Sequence, residues 1–309
     1  MKCDNLILGV CRIKYSNLKL RNKNKSILTE IDRIISYYDL IKLDEYYEPK
    51  QVYSFEGHGK NQKTTTIISE PDDVNSWIKG LSYSCVVKMR HLENAIHTLL
   101  SGKDCFSSAM LIRQHMELCG LLCLAVQVFS KALKAGEFDE LERFISKTNI
   151  GSSYFNNPNL RDGVFAFFRT ETPTITAMIK AMDSFLSDNF EEIDSPDFHK
   201  HNYAFLCQFS HPSPDSSRFF VNATKKEEGH VFQFKWKANY GNNALYTLLH
   251  VLKQNLKIGL ANFFILNSFQ MSSDFRLFQD KGFIELSFRV LHEKHEGDLE
   301  ESQEASYFT

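Results

Sequence analysis

Apolar residues recur at every third and fourth position through most of the chain between residues 71 and 269, the period that puts side chains on one face of an α-helix. Glu70, Pro71, Asp72 and Asp73 supply a helix start, with Pro suited to the first turn and acidic residues complementing the dipole. Trp77, Leu81, Met89, Leu92, Ile96 and Leu99 then carry the helix to residue 102. Asp104 is placed to cap a second long helix running to about Gly136. The short break at Ser101, Gly102 and Lys103 folds the two into an antiparallel hairpin, the unit of a helical bundle.

Further helices are predicted over 27–43, 137–147, 174–186 and 203–209, and a last long one starts at Asn242 or Asn243 and passes Leu245, Leu249, Leu252, Leu256 and Leu260 to about 269. Alternation around a polar turn over 219–236 suits a small β-hairpin. The Gly, Lys and Thr residues of 57–66 read as an exposed loop, residues 283–290 as a weak strand, and the acidic residues after His292 as a disordered tail. The expected architecture is mainly α, an antiparallel helical bundle with a small β-hairpin insertion. It divides into an N-terminal appendage over 1–70, a bundle domain over 71–271 with the hairpin near 219–236, and the strand and tail over 272–309.

One stripe breaks its own pattern. Phe106, Ala109, Met110, Arg113, Glu117, Gly120, Leu121, Leu124 and Val128 share a helix face, and two of them are charged. A charge among apolar neighbours persists when it is paired and hydrogen-bonded, because desolvating it alone costs several kcal/mol or more. Arg113 and Glu117, one turn apart, are either an internal lock between helices or the floor of a site.

Composition narrows the class. With 36 Lys+Arg against 38 Asp+Glu there is no global basic field for nonspecific nucleic-acid binding. Seven cysteines, with no C-x-x-C pair, point to a reducing, cytoplasmic setting. The run Leu6 to Val10 is too short for a signal peptide, and no membrane span is expected. The 26 phenylalanines suit an aromatic core or a subunit interface. No cofactor or metal is expected. Cys119 and Cys123 share a face but lack a second ligand pair, and Asp197, His199 and His201 lack a fourth ligand and read as a solvated capping segment. Gly57, His58, Gly59 and Lys60 are not followed by the helix a phosphate loop needs.

Arg113-x3-Glu117 in an apolar helix, followed about a hundred residues later by Tyr203-x6-Ser210-His211-Pro212-Ser213, resembles a family of uncharacterised, mostly bacterial helical proteins, which in turn look similar to the HEPN superfamily. The resemblance covers about residues 75–270 and implies a helical bundle with a polar cluster of Arg113, Glu117 and His211. Many HEPN proteins are metal-independent ribonucleases with an Arg, a polar residue next, and a His after four to six intervening positions. Arg90, His91 and His97 fit that spacing. A His near neutral pH can serve as general base or acid at a ribose hydroxyl or leaving oxygen, while an Arg stabilises phosphorane charge. Arg289 and His295, with five intervening positions, also fall in that range but without helical support, so spacing alone discriminates little. Arg90 and His97 would also stand about 10 Å apart along a helix axis.

Arg90, Glu93, Asn94 and His97 otherwise form a polar stripe beside the apolar one, read as a solvated face with an Arg90–Glu93 pair. A Ser/His/Glu nucleophile built on Ser210 or Ser213 lacks the Gly-rich elbow that such sites use. The expected function is a HEPN-like effector of a bacterial stress or phage-defence system, an endoribonuclease if it is an enzyme. The alternative is a non-catalytic helical module binding a partner protein or small anionic ligand in the Arg113/Glu117/His211 cleft. RNA, a cognate partner protein and a second copy in a homodimer are the expected partners.

Overall fold

Asp104 makes the cap that its position predicts. In the computed structural model its carboxylate accepts from the Ser107 backbone N–H at 3.0 Å and from the Ser107 hydroxyl at 2.7 Å. A cap of this kind is worth about 1 kcal/mol. It opens α3, Cys105–Ala135, which ends where Gly136 adopts the left-handed conformation at φ 68° and closes on the Ala132 carbonyl. Before it, α2 spans Pro71–Ser101, and Lys103 turns the corner at φ 59°. The structure describes residues 14–18, 24–41, 52–56, 63–67, 71–136, 138–149, 173–189, 197–210, 220–226, 229–234, 242–274 and 276–292.

Among these residues the chain is mainly α, with eight α-helices and short antiparallel hairpins. The remaining helices are α1 (Lys25–Ser36), α4 (Asp139–Asn149), α5 (Ile175–Asn189), α6 (Phe198–Ser210), α7 (Asn242–Ser268) and α8 (Lys281–His292). The predicted hairpin is present as β3 (Val221–Lys226) paired with β4 (Gly229–Phe234) in the register Val221 to Phe234.

Two predicted elements change. The 57–66 loop in fact contributes to β2 (Lys63–Ile67), which pairs with β1 (Val52–Glu56). Its Thr64, Thr65 and Thr66 are β-branched, and pairing wins over the polar composition that suggested a loop. The run 283–290 is helix, part of α8, because Ser287, Val290 and Leu291 repeat at three and four residues and bury that face, with α8 packed on α7. A third hairpin, β5 (Phe269–Met271) with β6 (Leu277–Gln279), turns the chain from α7 into α8. The tail beyond His292 lies outside the described residues.

Helix α3 is the axis of the bundle. It packs against α2, α5, α6 and α7, and its buried residues, from Cys105 through Ile112, Met116, Leu122 and Phe129 to Ala132, go around the helix rather than down one stripe. That surround accounts for an apolar character sufficient, by length and composition, to cross a membrane, a property the sequence reading did not assign to any segment. Close helix contact needs small residues at two crossings. A Cβ on Gly120 would lie 2.8 Å from the Met178 Cβ of α5, and one on Gly259 of α7 would lie 2.7 Å from the Cys119 Sγ. Trp77 stacks on Phe129 at 5.6 Å, and Phe129 meets Phe269 at 5.4 Å, joining α2, α3 and the β5 hairpin in one aromatic core.

Helix α1 lies against α7 through Ile27, Leu28, Ile31, Ile34 and Ile35, which carry its buried face. Lys253 of α7 reaches Glu30 of α1 at 2.9 Å. Asn75 of α2 holds the β5 hairpin by both ends of its amide, donating to the Met271 carbonyl at 3.0 Å and accepting from the Met271 N–H at 2.7 Å.

Candidate functional site

Arg113 and Glu117 project from α3 toward α6, where Tyr203, Cys207 and Ser210 follow one another at helical spacing on one face. The Arg113 Nε donates to the Glu117 Oε1 and to the Tyr203 hydroxyl, both at 3.1 Å, and Nη1 donates to the Ser210 Oγ at 2.5 Å. Tyr203 in turn donates to the Glu117 Oε1 at 2.9 Å, while Ser210 donates to the Cys207 carbonyl at 3.0 Å. The guanidinium also sits over the Tyr203 ring at 5.3 Å, a cation–π contact. The two charged side chains remain 23% and 28% exposed, so the pair stands at the edge of the α3–α6 seam and is not sealed inside the stripe.

The electrostatics follow from that position. Burial works against the Arg113 charge, but the hydrogen bond and charge of Tyr203 and the nearby Cys207 and Glu117 raise its pKa overall. Burial is also the main cause that lifts Tyr203 to about 12, with Glu117 adding to the rise and Arg113 opposing it. At neutral pH the Arg113 guanidinium therefore stays charged and the Tyr203 phenol stays protonated. His211 follows Ser210 and lies outside the described residues.

Arg90 and His97 are drawn to different neighbours. Arg90 Nη1 bonds the Glu93 Oε2 at 3.1 Å and the guanidinium lies over the Tyr38 ring at 5.6 Å. His97 Nε2 meets the Lys14 carbonyl at 3.2 Å, and its ring packs edge-on to Tyr15 at 5.1 Å. The expected solvated face is corrected at its centre, because Glu93 is 0% exposed. The segment before α2 folds over this face, and Tyr15 donates its hydroxyl to the Glu93 carbonyl at 2.8 Å.

Glu93 is the hub of a second polar group that sequence reasoning missed. Its Oε1 accepts from the Tyr38 hydroxyl at 2.5 Å and faces the His115 Nε2 at 3.3 Å. The other ring nitrogen of His115 lies 3.4 Å from the Cys119 Sγ, which also reaches the Asn255 carbonyl of α7 at 3.1 Å. The two Glu93 carboxyl oxygens between them meet Tyr38, Arg90 and His115. Cys119, His115 and Glu93 stand in the order of a nucleophile, a base and an orienting acid, yet all three are 0% exposed. Burial, then the neighbouring Cys123, Glu93 and Cys85, push the Cys119 thiol well up, so it remains a thiol. This line ties α2, α3, α7 and the N-terminal segment together and offers no access to a substrate.

A signal for the hub was available, since Glu93 continues the Met89, Ile96 and Leu100 spacing and must face inward with them. His199 is also corrected from solvated to buried. Its Nδ1 pairs with Asp183 of α5 at 3.0 Å, and Asp183 caps α6 by accepting from the His199 N–H at 2.7 Å. Among the described residues no group of three or more His, Cys, Asp or Glu is placed to hold a metal ion.

No protein-family model, curated protein or solved structure matches the chain. Its function is therefore read from the geometry of the α3–α6 site.

Proposed function

We propose that this protein is a helical-bundle binding module that receives an anionic group, a carboxylate or phosphate, on Arg113. The observation that carries the reading is how Arg113 is held. Its Nε and one Nη1 proton are fixed by Glu117, Tyr203 and Ser210, and its face rests on the Tyr203 ring. The Nη2 end has no partner among the described residues, and the side chain is 23% exposed. An arginine already ordered by its neighbours loses little further side-chain entropy when a ligand takes its remaining donors. Arg also suits planar, two-point contact with carboxylate and phosphate.

The likeness to HEPN effectors of bacterial stress and phage defence extends the anion to an RNA phosphodiester. A ribonuclease built on Arg90 and His97 requires Arg90 to leave a fully buried carboxylate and His97 to leave the Lys14 carbonyl, so the binding reading is preferred.

The test is a binding panel of acetate, inorganic phosphate, glycine and a short RNA, with Arg113→Ala as the comparison. At least one probe is expected to bind the wild type and to lose tenfold or more in affinity on Arg113→Ala. The variant should keep its stability within about 1 kcal/mol, as befits a part-exposed pair. Absence of any Arg113-dependent binding overturns the reading. RNA cleavage lost on His97→Ala or His211→Ala supports the nuclease in its place.

A further inference from the structure

We infer that the cleft between the last turns of α3 and α5 is a second binding site, for an uncharged aromatic molecule that carries one hydrogen-bonding group, as indole and phenol do. The site is separate from the Arg113 seam, since Val126, where the cleft begins on α3, lies about 20 Å along the helix from Arg113. It does not depend on the anion reading.

The cleft opens past the point where the two helices touch. Gly120 admits Met178 of α5 against α3, and the Gln127 side-chain amide donates to the Ala181 carbonyl at 3.4 Å. Farther along, the helices bound a space of about 740 Å³, with Ile265 of α7 on its third side. Small-molecule sites run to this size, about 300–1,000 Å³. Every residue that lines it is among those described.

Its wall is of two kinds. Val126, Phe185 and Ile265 are apolar, and the first two are buried, so they form the floor. Lys131, Lys134 and Asp188 are exposed and mark the mouth. An apolar body on the floor gains about 25 cal/mol for each Å² taken from water, and a flat ring can meet Phe185 edge-on or offset-stacked. Ser130, half-buried in the same wall, brings a hydroxyl that can donate or accept.

Charge sets the preference for a neutral ligand. Lys131 pairs with Glu140 of α4, which leaves Lys134 and Asp188, one charge of each sign, at the mouth. The formal charges therefore cancel. A ligand with a charge of its own sheds water over an apolar floor with no net counter-charge to offset the loss. A neutral ring with one polar edge avoids that cost and still finds a hydrogen bond.

The experiment is an NMR titration of the isotope-labelled full-length protein with indole, benzoate and benzylammonium, following backbone amides. Indole is expected to shift the amides of Val126, Ser130 and Phe185 and to bind about fivefold tighter than either ion. Ser130→Trp, which fills the cleft from a half-buried position, is expected to abolish those shifts. Asp188→Asn leaves Lys134 unopposed, so benzoate should gain about threefold. If indole leaves the three amides unmoved, or moves them equally in a folded Ser130→Trp protein, there is no such site. If either ion binds the wild type as tightly as indole, or benzoate gains nothing from Asp188→Asn, the preference for a neutral ligand is overturned.

Discussion

Removing the Glu93 carboxylate should be among the most destabilising single changes in the protein. Glu93→Ala strips the acceptor from the Tyr38 hydroxyl at 2.5 Å, the Arg90 guanidinium at 3.1 Å and the His115 ring at 3.3 Å. His115 is fully buried, and the Tyr38 hydroxyl is enclosed, its pKa pushed well up by burial and then by Glu93. Each buried donor left unpartnered costs about 1–3 kcal/mol, and removing one member of a buried charged group costs about 3–5 kcal/mol in measured cases. The lower part of the summed range applies, because Arg90 is 23% exposed and can turn to water. We expect a loss of about 4 kcal/mol, which for a chain of this size lowers the melting temperature by roughly 6–8 °C. Circular dichroism melts and urea titrations read this directly. Glu93→Gln keeps the shape but turns an amide N–H₂ toward one of three donors, and should fall between Ala and wild type. A double-mutant cycle with Tyr38→Phe should show a coupling of about 0.5–3 kcal/mol. A Glu93→Ala protein within about 1 kcal/mol of wild type would refute the buried hub.

Three further outcomes follow from the packing and the titrations. Gly120→Ala sets a Cβ 2.8 Å from that of Met178, so α3 and α5 must separate, with a loss of about 1–3 kcal/mol by denaturant titration; an unchanged midpoint would mean the crossing is loose. Cys85 is pushed to about 12 and Cys105 to about 11 by burial, with Cys119 and Cys123 fully enclosed. Of the free cysteines among the described residues, the native protein at pH 8 should therefore alkylate at Cys207 first by mass spectrometry, and early labelling of Cys119 would contradict the sealed core. The Tyr203 phenol is raised from 10.0 to about 12, so the fold favours its protonated form. Its contribution is whole below pH 10 and is lost as pH climbs toward 12. Replacing it by Phe should flatten part of the alkaline fall in stability, and an unchanged alkaline limb would remove Tyr203 from that account.

The helices were legible because their signals are local. Asp104, Gly136 and the Pro71-Asp72-Asp73 start act within one turn of the residues they punctuate, and the apolar period does the rest. The short elements were harder. Residues 283–290 are rich in bulky apolar side chains with only about two turns of period, and what decides for helix is α7, roughly one helix length earlier in the chain. The site was half legible. Arg113 and Glu117 stood out as charges in an apolar stripe, and Tyr203 and Ser210 were in the associated motif, yet that the four would share protons depends on how α6 lies on α3. Glu93 was misread because its Arg90 partner made a sufficient surface explanation, while Tyr38 and His115 arrive from 55 residues before it and 22 after it.

The docking of α1 on α7 has a consequence for synthesis. Lys253 and Glu30 are 223 positions apart, so at ribosomal rates the apolar face of α1 waits roughly 10–45 s for its partner to be made. During that interval Ile27, Leu28, Ile31, Ile34 and Ile35 are a sticky helix with nowhere of its own to go. The chain is thus exposed to chaperone capture or mispairing from its first helix onward, and its yield in a cell should depend on elongation speed more than that of a bundle whose first helix packs on its second.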